Sequence, residues 1–137
     1  MTISLELSKQ LYEKGLKIGT EKWWVKSSEP EWLPIGEFGL CDKEHTDIKN
    51  WHCYPAPSTD ELLTVMPAYI NGQQAELKIS KDSCGNYWCQ YLLDEGNDVV
   101  GFSDKSLPEA LGLMVKWLLE NGYRYDSPNK LLVKGEI

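Results

Sequence analysis

The clearest hydrophobic pattern of the chain lies in SLPEALGLMVKWLLENG, residues 106–122. Its apolar positions recur three and four residues apart, as they do on one face of an α-helix. Ser106 and Glu109 have the spacing of a capping box, and Gly122 suits the left-handed residue that ends a helix. We therefore predict a helix over residues 107–121 that packs against a sheet. The positions predicted to be buried are Leu107, Ala110, Leu111, Met114, Trp117 and Leu118.

Two shorter helices are predicted in the N-terminal half. LELSKQLYEKG is amphipathic and ends at Gly15, so a helix is predicted over residues 4–14. Ser58 and Glu61 form a second capping-box pattern, which predicts a short helix over residues 59–65.

Alternating apolar and polar positions predict a β-meander between the last two helices. Its strands are QQAELKIS (73–80), YWCQYLL (87–93) and DVVGFS (98–103). YWCQYLL is apolar on both faces, which is typical of a central strand covered from two sides. In the stretch CGNYWC, Gly85 and Asn86 favour a hairpin turn, so Cys84 is predicted in the turn and Cys89 in the strand.

Four further segments have strand-like composition: EKWWVK (21–26), LPIGEF (33–38), WHCY (51–54) and LLVK (131–134). In EKWWVK, Trp23 and Trp24 are predicted to point to opposite faces. The element order predicts an α+β fold in a single domain, residues 1–137. We expect one antiparallel β-sheet of three to five strands with helices packed on one or both faces, an α/β sandwich-like arrangement.

The net charge of the chain limits the classes of molecule that it is expected to bind. The chain has 137 residues and a net charge of −7, and its only Arg is Arg124. An acidic surface repels phosphate backbones and anionic membranes, so neither general nucleic-acid binding nor membrane association is predicted. No segment has the apolar core of a secretory signal or the length of a membrane helix, which predicts a cytoplasmic protein with reduced thiols.

Thiols and imidazoles are the first candidates for metal binding or catalysis. Tetrahedral zinc uses these ligands, but the spacings here differ from paired C-x2-C knuckles. Cys41 with His45 or His52 would supply a nucleophile and a base, yet nucleophile elbows, phosphate loops and zinc-protease helices are absent from the sequence. We predict no cofactor and no enzymatic activity, and keep a small Cys/His enzyme or a structural zinc protein as the alternative. The possible ligands are Cys41, His45, His52, Cys53, Cys84 and Cys89.

Aromatic residues are the second candidates. Six Trp and seven Tyr are more than a small core easily encloses, and both residue types anchor protein interfaces. We therefore predict a protein partner or self-association; the other interpretation is that the rings cover the sheet internally. The candidate binding residues are Trp24, Trp32, Trp51, Tyr54 and Trp88. A basic partner could also meet an acidic surface made by Asp42, Glu44, Asp47, Asp60, Glu61, Asp94, Glu95 and Asp98.

Two resemblances follow from longer stretches of sequence. LSKQLYEKG, the Trp-rich strand, YPAPSTDELLTVMP and SLPEALGLMVKWLLENGY together resemble the small uncharacterised proteins of phages and prophages. This resemblance spans most of the chain and implies a viral or mobile-element origin and an α/β sandwich-like fold, with no inherited activity. Residues 75–121 are also similar to the HicB antitoxin pattern, whose family neutralises a small toxin.

Overall fold

The computed structural model of the chain describes residues 2–27, 31, 33–42, 53–70, 72 and 74–135. Within them are three helices, α1 (Leu5–Glu13), α2 (Thr59–Val65) and α3 (Leu107–Glu120). The strands of the same residues are β1 (Lys22–Lys26), β2 (Phe38–Asp42), β3 (Cys53–Pro55), β4 (Tyr69–Ile70), β5 (Ala75–Lys81), β6 (Tyr87–Leu93), β7 (Asp98–Asp104), β8 (Tyr123–Asp126) and β9 (Leu131–Lys134). All strand pairs among them are antiparallel, so the predicted α+β class is confirmed.

The strands of the described residues form three sheets rather than one. The main sheet has the order β4-β5-β6-β7, the small sheet has the order β2-β1-β3, and β8 pairs with β9. The main sheet falls within the predicted range of three to five strands. The prediction of a single sheet is wrong, because hydrophobic periodicity identifies the faces of a strand but not its neighbours. Strand β8 is an element that the pattern did not predict.

Helix α3 and the main sheet bury each other. Leu111, Met114 and Leu118 are fully buried in one cluster with Cys89 and Tyr91 of β6. This confirms the predicted contact between the meander and the last long helix, whose apolar stripe supplies much of the hydrophobic core. Burial of large apolar side chains is the main source of stability of such a layer.

The other face of the main sheet carries no helix in the described part of the chain. Glu76, Lys78 and Ser80 of β5 are exposed on it, while Trp88 and Leu92 of β6 are half-buried. Among the described helices, those packed on the meander therefore lie on one of its faces. The half-buried Trp88 and Leu92 are the reason that the sequence of β6 is apolar on both faces.

Helix α1 lies against α3 at a close approach made possible by Gly112. A Cβ atom at that position would lie 2.5 Å from Cδ2 of Leu7 and 3.1 Å from Cγ2 of Ile3. Leu7 and Ile3 are both buried, so the apolar face of α1 can pack this closely on α3 only because Gly112 has no side chain.

The predicted capping box at the start of α3 is wrong. Ser106 makes no side-chain cap, and Glu109 instead accepts hydrogen bonds from the backbone N–H and the hydroxyl of Ser4. Ser4 in turn caps α1 by accepting from the backbone N–H of Leu7 at 3.3 Å. A carboxylate predicted to cap its own helix thus joins the first turns of two helices.

Of two further local predictions, one is confirmed and one is wrong. The capping box of α2 is confirmed, since Ser58 and Glu61 each accept from the other's backbone N–H. The strand predicted over 33–38 is wrong, because Gly36 has a φ of +95° and the Glu37 N–H donates to the Pro34 carbonyl in a turn. β2 begins only after this turn.

The other N-terminal strand predictions shift by one or two residues. EKWWVK matches β1 closely, whereas only the last two residues of WHCY lie in β3, and residues 51–52 lie outside the described residues. Trp23 and Trp24 are paired with different residues along β1 and point to opposite faces, as predicted.

Candidate functional site

The thiols lie in separate parts of the fold. Cys84 is exposed in the β5–β6 turn and Cys89 is fully buried in β6, as CGNYWC predicts, while Cys41 and Cys53 lie on the two outer strands of the small sheet. The described part of the chain contains no group of three or more His, Cys, Asp and Glu residues placed to hold a metal ion. His45 and His52 of the predicted ligand pool lie outside the described residues.

Burial makes three of these thiols poor nucleophiles. Burial raises the pKa of Cys41 and Cys53, and it raises the pKa of Cys89 to about 12. Since the thiolate is the reactive form, a raised pKa lowers the fraction of a thiol that is reactive near pH 7. The described surroundings of Cys41, the residue predicted as a possible nucleophile, therefore favour the inactive form.

Trp88 lies on the face of the main sheet that carries no helix and closes the β5–β6 turn. Its indole N–H donates to Oδ2 of Asp82 at 2.9 Å, and the backbone N–H groups of Cys84 and Asn86 donate to Oδ1. These hydrogen bonds, that from Trp88 first, hold the pKa of Asp82 below its ordinary value. Trp88, which was predicted to bind a partner, therefore makes a hydrogen bond within its own hairpin.

Trp24 and Tyr54 lie opposite each other on β1 and β3, and so share one face of the small sheet. The indole N–H of Trp24 donates to the carbonyl oxygen of Ile3 at 3.2 Å, which fixes the ring beside the entry to α1. Trp32 and Trp51, the other two predicted binding residues, lie outside the described residues.

Tyr54 is the centre of an aromatic group between α1 and the small sheet. Its ring meets that of Tyr12 edge to face, with centroids 5.7 Å apart, and its centroid is 6.0 Å from that of Phe38. The ammonium nitrogen of Lys9 lies 5.0 Å from the Phe38 centroid and 5.7 Å from the Tyr54 centroid, within the range of cation–π attraction.

The candidate functional site combines these rings with Trp24 and Leu40, which lie opposite each other on the same face of the small sheet. We call it the aromatic surface, and it consists of Lys9, Tyr12, Trp24, Phe38, Leu40 and Tyr54. Tyr12 is 42% exposed and Leu40 is 45% exposed.

Sequence reasoning identified two members of the aromatic surface and missed four. Tyr12 lies next to Leu11 but outside the apolar stripe of α1, which is the signal that it faces something other than the core. Phe38 and Leu40 alternate along β2, but the strand was predicted too early in the chain. Lys9 carries no sequence signal of its own, since its role depends on the rings below it.

A small pocket opens beside Tyr12, between α1 and the Pro55–Pro57 segment. It has room for about one water-sized group. Ser8 lines it, is only 1% exposed, and its hydroxyl has no hydrogen-bond partner. The complete lining is Ser8, Leu11, Tyr12, Leu16, Ile18, Pro55 and Pro57.

No protein-family model, curated protein or solved structure matches this chain. Among the helices of the described residues, none has the length and apolar character needed to cross a membrane.

Proposed function

We propose that this chain is a small, non-enzymatic phage or mobile-element protein of the cytoplasm that binds another protein through its aromatic surface. The observation that carries the proposal is the contact of the half-buried Tyr54 ring with Phe38 and with Tyr12, which stays 42% exposed. Tyr and Trp give large, rigid contact areas and dominate the binding energy of protein interfaces.

The partner that fits this site best is a basic protein. The net charge of −7 attracts a positively charged partner and raises its association rate. The same charge makes two copies of the chain repel each other, which disfavours self-association. Locally, the ammonium nitrogen of Lys9 lies 5.0 Å from the Phe38 ring centroid, which supports cation–π attraction at this group of rings. Arg or Lys side chains of a partner would make the same contact with the exposed face of Tyr12.

The alternative function, a Cys/His enzyme or a zinc protein, has weaker support in the described residues. A catalytic thiol requires a lowered pKa, whereas burial raises the pKa of Cys41 and Cys53. Zinc in stoichiometric amount by elemental analysis of the purified protein would favour this alternative.

The test is affinity capture followed by measurement on the purified pair. A protein captured by the wild type is identified by mass spectrometry, produced separately, and titrated against wild type and the double variant Tyr12→Ala, Tyr54→Ala. The matched control is Tyr69→Ala, because Tyr69 is 49% exposed on β4, away from the aromatic surface.

We expect the double variant to bind roughly 30-fold more weakly or worse, because loss of interface anchors costs about 2 kcal/mol or more. Tyr69→Ala should bind within about twofold of wild type, and binding should weaken as salt is added because the charge attraction is screened. Equal loss in both variants, unchanged binding of the double variant, or an acidic partner would contradict the proposal. Size-exclusion chromatography that finds a stable homodimer abolished by the double variant would also contradict it, in favour of self-association.

A further inference from the structure

Strand β7 forms an edge of the main sheet. The sheet has the order β4-β5-β6-β7, so among the described strands β7 pairs only with β6. The register places Val100 opposite Tyr91 and Phe102 opposite Cys89, and a β-bulge separates this regular stretch from the β6–β7 turn. The outer side of β7 from Val100 onward therefore presents a regular strand edge, which is the geometry that another extended chain can join.

Gly101 and Ser103 carry the backbone groups that point away from β6. In the turn, the N–H of Leu93 donates to the carbonyl oxygen of Asn97 at 2.9 Å, so Leu93 bonds toward β7. Antiparallel strands exchange hydrogen bonds at every second residue, so the odd-numbered residues of β6 bond with the even-numbered residues of β7. The N–H and carbonyl groups of Gly101 and Ser103 are thus the donors and acceptors of the outer edge.

This edge is surrounded by acidic side chains. Residues 94–105 contain four acidic residues and one Lys, namely Asp94, Glu95, Asp98, Asp104 and Lys105. Asp98 is exposed, and a Cβ atom at Gly101 would lie 3.0 Å from its Oδ2. Because Gly101 has no side chain, a side chain that arrives beside the edge can reach the Asp98 carboxylate.

We propose that the outer edge of β7 binds an extended, basic segment of another protein as a fifth strand of the main sheet. Strand addition takes its affinity from backbone hydrogen bonds and its specificity from alternate side chains. A Lys or Arg side chain opposite Gly101 would lie on the same face as the Asp98 carboxylate. A second copy of the chain fits less well, because antiparallel pairing of two β7 edges about Gly101 would bring Asp98 near Asp104 of the other copy.

The probe is the capped heptapeptide Lys-Val-Lys-Val-Lys-Val-Lys, titrated into the full chain and followed by amide NMR. We expect saturable shifts at Gly101 and Ser103, and binding that weakens as added salt screens the charges. The corresponding Glu-Val heptapeptide should not bind. N-methylation of two Lys residues, whose N–H groups would face β7, should weaken binding roughly 10-fold or more because backbone hydrogen bonds are lost. N-methylation of two Val residues, whose N–H groups would face away, is the matched control and should have a much smaller effect.

The charge of the edge is tested with two variants of equal net charge. Asp98→Asn should weaken binding of the Lys-Val peptide roughly 2- to 5-fold, as expected for loss of an exposed ion pair. Glu13→Gln makes the same change of charge at an exposed residue of α1, and binding should stay within about 1.5-fold of wild type.

Hydrogen exchange of the free chain tests the edge without any peptide. The amides of Gly101 and Ser103 should exchange faster than that of Phe102, which bonds to β6; equal protection would mean that the edge is already paired. The inference would also be overturned by absence of saturable binding, by equal binding of the Lys-Val and Glu-Val peptides, or by equal effects within either matched pair. The double variant Tyr12→Ala, Tyr54→Ala should bind the peptide like wild type, because the inference goes beyond the aromatic surface and shares no residue with it. Loss of peptide binding in that variant would place the peptide on the aromatic surface and refute strand addition.

Discussion

The two halves of the molecule differ in how completely their buried polar atoms are paired. In the half formed by α3 and the main sheet, the Tyr91 hydroxyl is buried and donates to the Pro67 carbonyl at 2.7 Å. In the half formed by α1 and the small sheet, the buried hydroxyls of Thr20 and Ser27 also donate to backbone carbonyls, but the Trp23 indole N–H and the Ser8 hydroxyl are buried without a hydrogen-bond partner. Buried polar groups in folded proteins are normally paired, and exceptions concentrate at functional sites.

Exposed aromatic rings occur in both halves. Tyr91 of the main sheet is completely buried, and its burial raises the pKa of its hydroxyl, whereas Tyr69 of β4 is 49% exposed and Tyr12 of α1 is 42% exposed. What sets Tyr12 apart is its contact with the Tyr54 ring, which in turn lies against Phe38. This grouping of rings with an exposed member is what supports binding at the aromatic surface.

The strongest test of this comparison replaces one leucine in each half. Leu111→Ala should lower the free energy of unfolding by about 2–5 kcal/mol, because Leu111 is fully buried and its loss leaves a cavity. Leu40→Ala, at a side chain that is 45% exposed, should change it by no more than about 0.5 kcal/mol. Urea unfolding followed by circular dichroism measures both. Comparable losses would mean that the aromatic surface is part of the core, and the division of the molecule would fail.

The contact between α1 and α3, where the two halves meet, is tested by substituting a glycine. Gly112→Ala introduces a Cβ 2.5 Å from Leu7, and overpacking of about 1–3 kcal/mol is partly offset by about 1 kcal/mol of improved helix propensity. We expect a net loss of about 1 kcal/mol in urea unfolding.

Gly101→Ala is the control for this substitution. Its Cβ would lie 3.0 Å from side-chain atoms of Gln90 and Asp98, which are at the surface and can move, so a change below about 0.5 kcal/mol is expected. If Gly112→Ala proved as stable as wild type, α1 would not be held against α3 as closely as described.

Local signals in the sequence predicted the body of the fold better than the candidate site. Ser58 and Glu61 lie three residues apart, so their mutual cap could be predicted, whereas Glu109 caps with Ser4 across 105 residues and could not. Trp24 and Tyr54 could be chosen as candidate binding residues by residue type alone. Their neighbour Tyr12 joins them only through the packing of α1 on the small sheet, which periodicity does not encode.

The smallest expected effect concerns carboxylates on the two sheets. Asp82 accepts hydrogen bonds from Trp88 and the β5–β6 turn, which lower its pKa in the folded state. A lowered pKa means that these contacts stabilise the fold above the unfolded-state value, near pH 4, and that this contribution is lost as pH falls through the lower folded-state value. Asp82→Asn should therefore be less stable than wild type at pH 7, and the difference should shrink below about pH 4.

The matched control for Asp82 is Asp42→Asn in the small sheet. Asp42 pairs with Lys22 at the surface, where water screens the attraction and an ion pair contributes little to stability. Thermal unfolding from pH 2 to pH 8 should give a smaller pH-dependent difference for Asp42→Asn than for Asp82→Asn. If the two variants had the same pH profile, the carboxylate in the turn of the main sheet would contribute no more than an exposed ion pair. Polar contacts would then not distinguish the two halves of the molecule, and only the group of contacting rings would remain to support the aromatic surface as the binding site.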